Sequence, residues 1–426
     1  MPHAAPNVRS TIDRLFREEH GRIVAPLIRL LGDFERAEEV VQDAFQAALE
    51  QWPEHGVPET PRAWVLRAAR NKAIDRIRRS ARFEDKRKQL EAVAEVERTF
   101  APAPDEMLTA GPSDDMLRLV FTCCHPALAT EAQVALTLRT ICGLTTDEIA
   151  HAFLADPRAM AQRLVRAKKK IRLARIPYRV PGPEVLPERL DAVLATLYLV
   201  FNEGYSASVG DSLVRRDLCR EGIRLAELVC CALPDEAACK GLLALMLLQD
   251  SRRFARVSEN GDLVVLEEQD RSLWDREQID RALPLVEASL RGGAPQAYSL
   301  QAAVAALHAQ AARPADTDWP QIAALYAVHV RVAPSPVVEL NAAVAIAMAG
   351  DLEGGLRLID SLAARGTLGR YRLLPAARAD LLRRLGRVER ARFAYEEAIQ
   401  RVSNDVERRY LQRRLDELAD EPKQVP

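Results

Sequence analysis

Residues 143–172 read GLTTDEIAHAFLADPRAMAQRLVRAKKKIR, and this stretch admits few folds. It predicts two short helices joined by a tight turn. Thr145 is a candidate N-cap for the first, with Glu148 three residues on to close a capping box. Asp156 is a candidate cap for the second, and Pro157 suits a first turn, where a missing N–H costs no hydrogen bond. At about 100° per residue, Met160, Leu164, Ala167 and Ile171 fall on one side of the second helix. Arg158, Gln162, Arg166 and Lys169 face broadly away. From Arg158 to Arg175 there are eight Lys/Arg and no Asp/Glu. Such a helix packs by one side and offers a cationic side to a polyanion, the layout that insertion into a DNA major groove needs. A charge run alone also describes a solvated face. The capped helix before it and the lack of acids favour nucleic acid.

Charge is segregated along the whole chain. Residues 62–88 and residues 158–175 each carry a net of +8, the chain as a whole is −1, and the remainder is therefore −17. Two basic islands in an acidic chain suit a protein that meets DNA at two places. At 426 residues, 48% of them apolar, the chain has room for two to four domains with their own cores. No apolar run approaches the roughly 18 residues that suggest a membrane span. MPHAAPNVRSTIDRLF lacks a signal-peptide core, and the seven cysteines form no C-x-x-C pair. They read as reduced core residues, and the expected location is cytoplasmic.

An all-α fold is expected. Residues 1–80 form a first helical domain. Within it Ala37, Val40, Val41, Ala44, Phe45, Ala48 and Leu49 make one apolar stripe, and Glu35, Glu38, Glu39 and Asp43 an acidic side. WPEHGVPETP reads as a loop. In the following helix Leu66, Ala69, Ala73 and Ile77 form the inner stripe. Residues 81–113, with APAPDE and GPSDD, read as a flexible linker. Residues 114–176 form a second helical domain ending in the helix-turn-helix. Residues 177–189 are a Pro-rich linker, and 190–420 a large helical extension. GDLVVLEEQ at 261–269 fits either a short strand or a loop. Near 340–415, Ala343, Gly350 and Gly355 are matched 36 residues later by Ala379, Gly386 and Ala391. The second copy adds Leu382, Tyr395 and Ala398 at tetratricopeptide-like offsets.

AEEVVQDAFQAALEQW followed by PRAWVLRAARNKAIDRIRR resembles the second conserved region of extracytoplasmic-function (group 4) sigma factors of bacterial RNA polymerase. The unit ending in GLTTDEIAHAFLADPRAMAQRLVRAKKKIR resembles the fourth. LYLVFNEGYSAS, Gly241 to Gln249, QDRSLWD and TDWPQI look like the long extension of one sigma subgroup, which ends in tetratricopeptide-like repeats.

The resemblance implies a transcription initiation factor that binds core RNA polymerase and promoter DNA. Glu38, Glu39, Gln42 and Asp43 would then meet polymerase. Arg67, Arg70, Asn71, Lys72, Arg76, Arg78 and Arg79 would read the minus-ten element, with Asn71 as the specific reader. The loop around 52–61 matches the one that captures a flipped base; Trp52 and Trp64 could stack on it, although burial suits both better. On the last helix Arg158, Gln162 and Arg166 are candidates for base edges at the minus-thirty-five element. Arg163, Lys168, Lys169 and Lys170 would hold phosphates. The extension would regulate activity or bind a regulatory protein or peptide. No cofactor, metal or membrane partner is implied.

Rival classes fit less well. Cys123-Cys124-His125 has poor metal geometry and no second ligand cluster at the right spacing, and the chain has no phosphate-binding Gly-rich loop, so an enzyme is not expected. A stand-alone helix-turn-helix regulator with an attached scaffold is the alternative, but it leaves the N-terminal basic island without a role. A scaffold alone leaves both islands unexplained.

Overall fold

Apolar residues recurring every three to four positions become helix throughout. The structure is a computed structural model that describes residues 8–81, 114–153, 155–206, 216–291, 293–369 and 371–420. These form eighteen α-helices. The first seven are α1 (Val8–Leu31), α2 (Phe34–His55), α3 (Pro61–Ala81), α4 (Asp114–Cys123), α5 (Thr130–Thr140), α6 (Thr146–Ala152) and α7 (Pro157–Leu173). Next come α8 (Leu186–Tyr205), α9 (Arg216–Ala232), α10 (Ala237–Asp250), α11 (Arg276–Leu290), α12 (Ala297–Gln310) and α13 (Trp319–Val332). The last are α14 (Pro336–Met348), α15 (Leu352–Ala364), α16 (Leu373–Arg384), α17 (Val388–Arg401) and α18 (Asp405–Asp420). Among the described residues there is no strand. The 261–269 segment makes one isolated bridge, Val257 to Leu263, and is a loop. The tether expected at 81–113 lies, after Ala81, outside the described residues.

The chain divides into two compact units, Met1–Thr196 and Leu197–Pro426. The division falls inside α8, beyond the Pro-rich stretch, because the first turns of α8 belong to unit 1. Arg189 donates to the Phe121 carbonyl at 2.5 Å, and Thr196 Oγ1 donates to Gln133 Oε1 at 3.1 Å. The Tyr178 hydroxyl, within the Pro-rich stretch, lies 2.9 Å from the Ala25 carbonyl and 3.1 Å from that of Asp115.

In unit 1, α1, α2 and α3 pack together, and α4 and α5 close against α1. Gly21 on α1 permits that closure, since a Cβ there would meet the Ile141 carbonyl oxygen at 2.7 Å. The α2 stripe is buried as expected from Ala37 to Ala48. It ends on Trp52 instead of Leu49, which is 48% exposed. α2 also runs further than its sequence suggests, through Pro53 to His55, and ends where the Gly56 N–H donates to the Trp52 carbonyl at 2.9 Å. The α3 stripe is centred one residue earlier than expected. Val65, Ala69 and Ala73 are fully buried, whereas Leu66 and Ile77 are only half-buried.

In unit 2, α10 is apolar on every side and buried, as a helix at the centre of a bundle must be. Gly241 lets α12 approach it, since a Cβ there would lie 2.8 Å from the Ser299 nitrogen. Helices α14 to α18 share one core that includes Ala343, Leu356, Ala379, Leu382, Ala391, Tyr395 and Ala398. Not every cysteine is internal: Cys231 is exposed and Cys230 half-buried.

Candidate nucleic-acid interface

Both caps of the helix-turn-helix form. Glu148 N–H donates to Thr145 Oγ1 at 3.1 Å, and Thr145 N–H donates back to Glu148 Oε2 at 2.8 Å. Asp156 accepts from the Ala159 N–H at 3.0 Å, with Pro157 at the first position. With the first turn of each helix fixed in this way, Met160, Leu164, Ala167 and Ile171 are buried as their spacing requires. Arg158, Gln162, Arg166, Lys169 and Lys170 are exposed, and Arg163 is half-buried.

Lys168 sits apart from the other basic residues of α7. It does not join the outer face. Its Nζ lies 2.5 Å from Glu38 Oε2, with each side chain only 13% exposed. The reason is periodicity: Lys168 follows Leu164 by four residues, about 40° around the helix, and so flanks the buried stripe. Arg172, by contrast, reaches Glu35 at 3.6 Å from an exposed position. One outward residue was missed in the sequence. Val165 is 57% exposed in the middle of the cationic face. Its position off the apolar stripe was the available signal.

On α3, Arg67, Asn71 and Arg78 are exposed, Arg70 and Lys72 half-buried, and the Arg79 side chain lies outside the described residues. Arg67, Asn71 and Lys72 make no ion pair or side-chain hydrogen bond among the described residues. Arg76 is turned differently from these. It faces α2, lying 2.5 Å from Glu39 and 2.9 Å from Asp43. Eleven residues separate it from Val65, which brings it back to within about 20° of the buried side. The acids proposed for polymerase are therefore engaged inside unit 1, Glu38 by Lys168 and Glu39 and Asp43 by Arg76. Gln42 is exposed.

Trp52 and Trp64 pair edge to face, with centroids 5.5 Å apart at 70°, and Trp52 is 2% exposed, so Trp52 supports the loop from the core. Further contacts join the two halves of unit 1. Arg17 reaches Glu148 at 3.1 Å and Arg29 reaches Asp115 at 2.8 Å. His20 Nδ1 donates to the Thr140 carbonyl at 2.9 Å. Burial pushes the His20 pKa down, against a smaller upward pull from that bond.

The Cys123-Cys124-His125 run supplies no reactive thiol. Burial raises both thiols, Cys124 to about 11 and Cys123 well above its ordinary value. Among the described residues no three His, Cys, Asp or Glu are grouped to hold a metal. No helix among them is long and apolar enough to cross a membrane.

Residues 15–83 match Sigma-70 region 2, and residues 118–171 match Sigma-70, region 4. Residues 189–290 match a family of unknown function, DUF6596. An uncharacterized protein of Rhizobium meliloti (strain 1021) is 42% identical over 414 residues, covering 97% of each chain. The chain belongs to the family of ECF-like sigma factors with a C-terminal extension. No solved structure matches it. Its sigma domains mark it as a transcription regulatory protein and imply core RNA polymerase and promoter DNA as partners. Within this sigma factor most of α1 and all of α2 and α3 lie in region 2, and most of α4 to α7 in region 4.

Proposed function

We propose that this sigma factor docks core RNA polymerase through α2 and directs initiation by reading a minus-ten element with α3 and a minus-thirty-five element with α7. One observation carries the reading: two cationic helices, each packed by an apolar stripe, turn Arg67, Asn71 and Arg78 on α3 and Arg158, Gln162, Arg166 and Lys169 on α7 to solvent. Arg70, Lys72 and Arg79 on α3 and Arg163 and Lys170 on α7 supply further phosphate contacts. Val165 adds an apolar base contact. Glu38, Glu39, Gln42 and Asp43 form the polymerase face once their partners release them. The domain bounds 1–80, 114–176 and 190–420 follow the same reading, with the sigma factor working in the cytoplasm beside polymerase. The paired helices α14–α15 and α16–α17 act as tetratricopeptide-like repeats that regulate activity or hold a regulatory protein or peptide.

The test is co-purification with bacterial core polymerase, followed by run-off transcription from a genomic promoter pool. The expected result is a stable complex and a discrete set of start sites. A chain that neither joins the enzyme nor changes its start sites refutes the reading.

A further inference from the structure

Within unit 2 a cavity of about 420 Å³ opens between α10, α12, α13 and the start of α14. That volume suits a small-molecule site. Apolar side chains such as Val304 and Val337 share its walls with polar ones. Among the described residues lining it there is one permanent charge, Arg252, and no Asp or Glu. Neutral groups alone hold Arg252. Its Nη2 donates to the Tyr205 hydroxyl and to Gln249 Oε1, each at 2.5 Å, and its guanidinium lies 5.7 Å from the Trp274 ring. No carboxylate lies within ion-pair distance of it among the described residues, Asp250 and Asp275 being paired with Arg253. The adjoining cavity of about 200 Å³, which shares His308, is different. There Arg384 is paired with Asp380 and Glu267, and Arg414 with Glu417.

A second observation is independent of Arg252. His329 is 3% exposed, lines the larger cavity and stacks on Tyr326, yet its ring makes no hydrogen bond among the described residues. The His308 Nδ1 atom is also buried without a partner. Burial lowers the pKa of both rings, that of His308 to about 4 with help from Arg252 and Arg271, so each is neutral and keeps one N–H to donate. The third element is the start of α14. Ser335 caps it, accepting from the Val338 N–H at 3.2 Å, and Val337 and Val338 both line the cavity. A helix N-terminus presents partial positive charge to whatever sits there.

We infer that this cavity binds a small organic anion, a carboxylate or a phosphate monoester on a ring-sized apolar body. The acidic group sits between Arg252 and the first turn of α14, and His329 donates to it. The body lies against Val304 and Tyr326. A guanidinium with no internal counter-charge is supplied with one by the ligand.

The test is titration calorimetry on the full chain at constant ionic strength, with benzoate, phenyl phosphate and benzyl alcohol as probes. At least one anion is expected to bind, benzyl alcohol to bind much more weakly, and the preferred anion to tell carboxylate from phosphate. Arg252→Gln should weaken the anion by roughly ten- to a hundredfold, the range for a charge-assisted hydrogen bond. Because Arg252 also braces Tyr205, Ala305→Trp provides a second route: it fills the cavity from α12 and should abolish binding while circular dichroism stays native. The inference is overturned by no heat from either anion, by benzyl alcohol binding as tightly as the anions, or by unchanged affinity in folded Ala305→Trp. No polymerase enters the measurement, so its failure leaves the transcription reading standing.

Discussion

Arg166 and Lys168 stand two residues apart on α7 and meet opposite surroundings. Arg166 is exposed on the cationic face, while Lys168 is closed onto Glu38. If Arg166 reads a base edge, Arg166→Ala should cost about 1–3 kcal/mol on an upstream-element duplex and relax preference at one position. Fluorescence anisotropy at fixed salt checks it, and unchanged affinity removes Arg166 from the interface. His20 makes a different single-residue prediction. It is buried and its pKa is lowered, so the folded protein keeps it neutral. Above the unfolded value, about 6.5, both states are neutral and nothing is lost. As pH falls below that value the unfolded chain takes the proton first, and stability declines until the folded value is reached. Thermal melts between about pH 7 and pH 5 should therefore fall more steeply for the wild type than for His20→Asn, which keeps a donor toward Thr140. Parallel slopes would assign the acid sensitivity elsewhere. Single positions were legible where one helix decides them: the stripe from Met160 to Ile171 and both caps follow from spacing. Lys168 and Arg76 were not, because their partners lie on other helices, Glu38 being 130 positions away from Lys168. Local patterning carries no record of a contact at that separation.

Two ion pairs join α7 to α2, and their surroundings rank them. Lys168–Glu38 is mostly withdrawn from water, whereas Arg172–Glu35 is spaced at 3.6 Å with both side chains at least half exposed. Removing Lys168 leaves Glu38 without its counter-charge in a site with little solvent. Lys168→Ala should cost roughly 2–4 kcal/mol, at or below the range for a fully buried pair because some solvent remains. Arg172→Ala should stay within about 0.5 kcal/mol. Urea denaturation of the two variants tests the order, and equal losses would mean that burial does not set the strength of this contact. At this scale the sequence named the helices and their type but misjudged some ends. Pro53 reads as a helix breaker, yet it sits in the last turn of α2, followed by the Gly56 stop. The apolar run at 261–269 reads equally as strand or loop, and among the described residues it has no neighbouring strand to pair with.

In unit 1 the two proposed DNA-reading helices are anchored to a single stretch of α2. Arg76 holds Glu39 and Asp43, and Lys168 holds Glu38. Five residues of helix separate Glu38 from Asp43, a rise of about 8 Å. By their names the two promoter elements lie about 25 base pairs apart, roughly 85 Å along B-DNA at 3.4 Å per base pair. A closed unit 1 cannot lay α3 and α7 on both elements at once. The same ion pairs occupy the acids proposed to meet polymerase, so docking and opening draw on one set of charges and should be coupled. The consequence is measurable without knowing the promoter in advance, once transcription has mapped one. For the free chain, a duplex carrying both elements should bind within about twofold of a duplex carrying only the upstream one, because the second contact is geometrically forbidden. With core polymerase present, the second element should add a factor on the order of a hundred or more, the gain expected when two linked contacts are made together. A large two-element advantage for the free chain would mean that unit 1 already opens unaided, and that the Lys168–Glu38 contact does not restrain it.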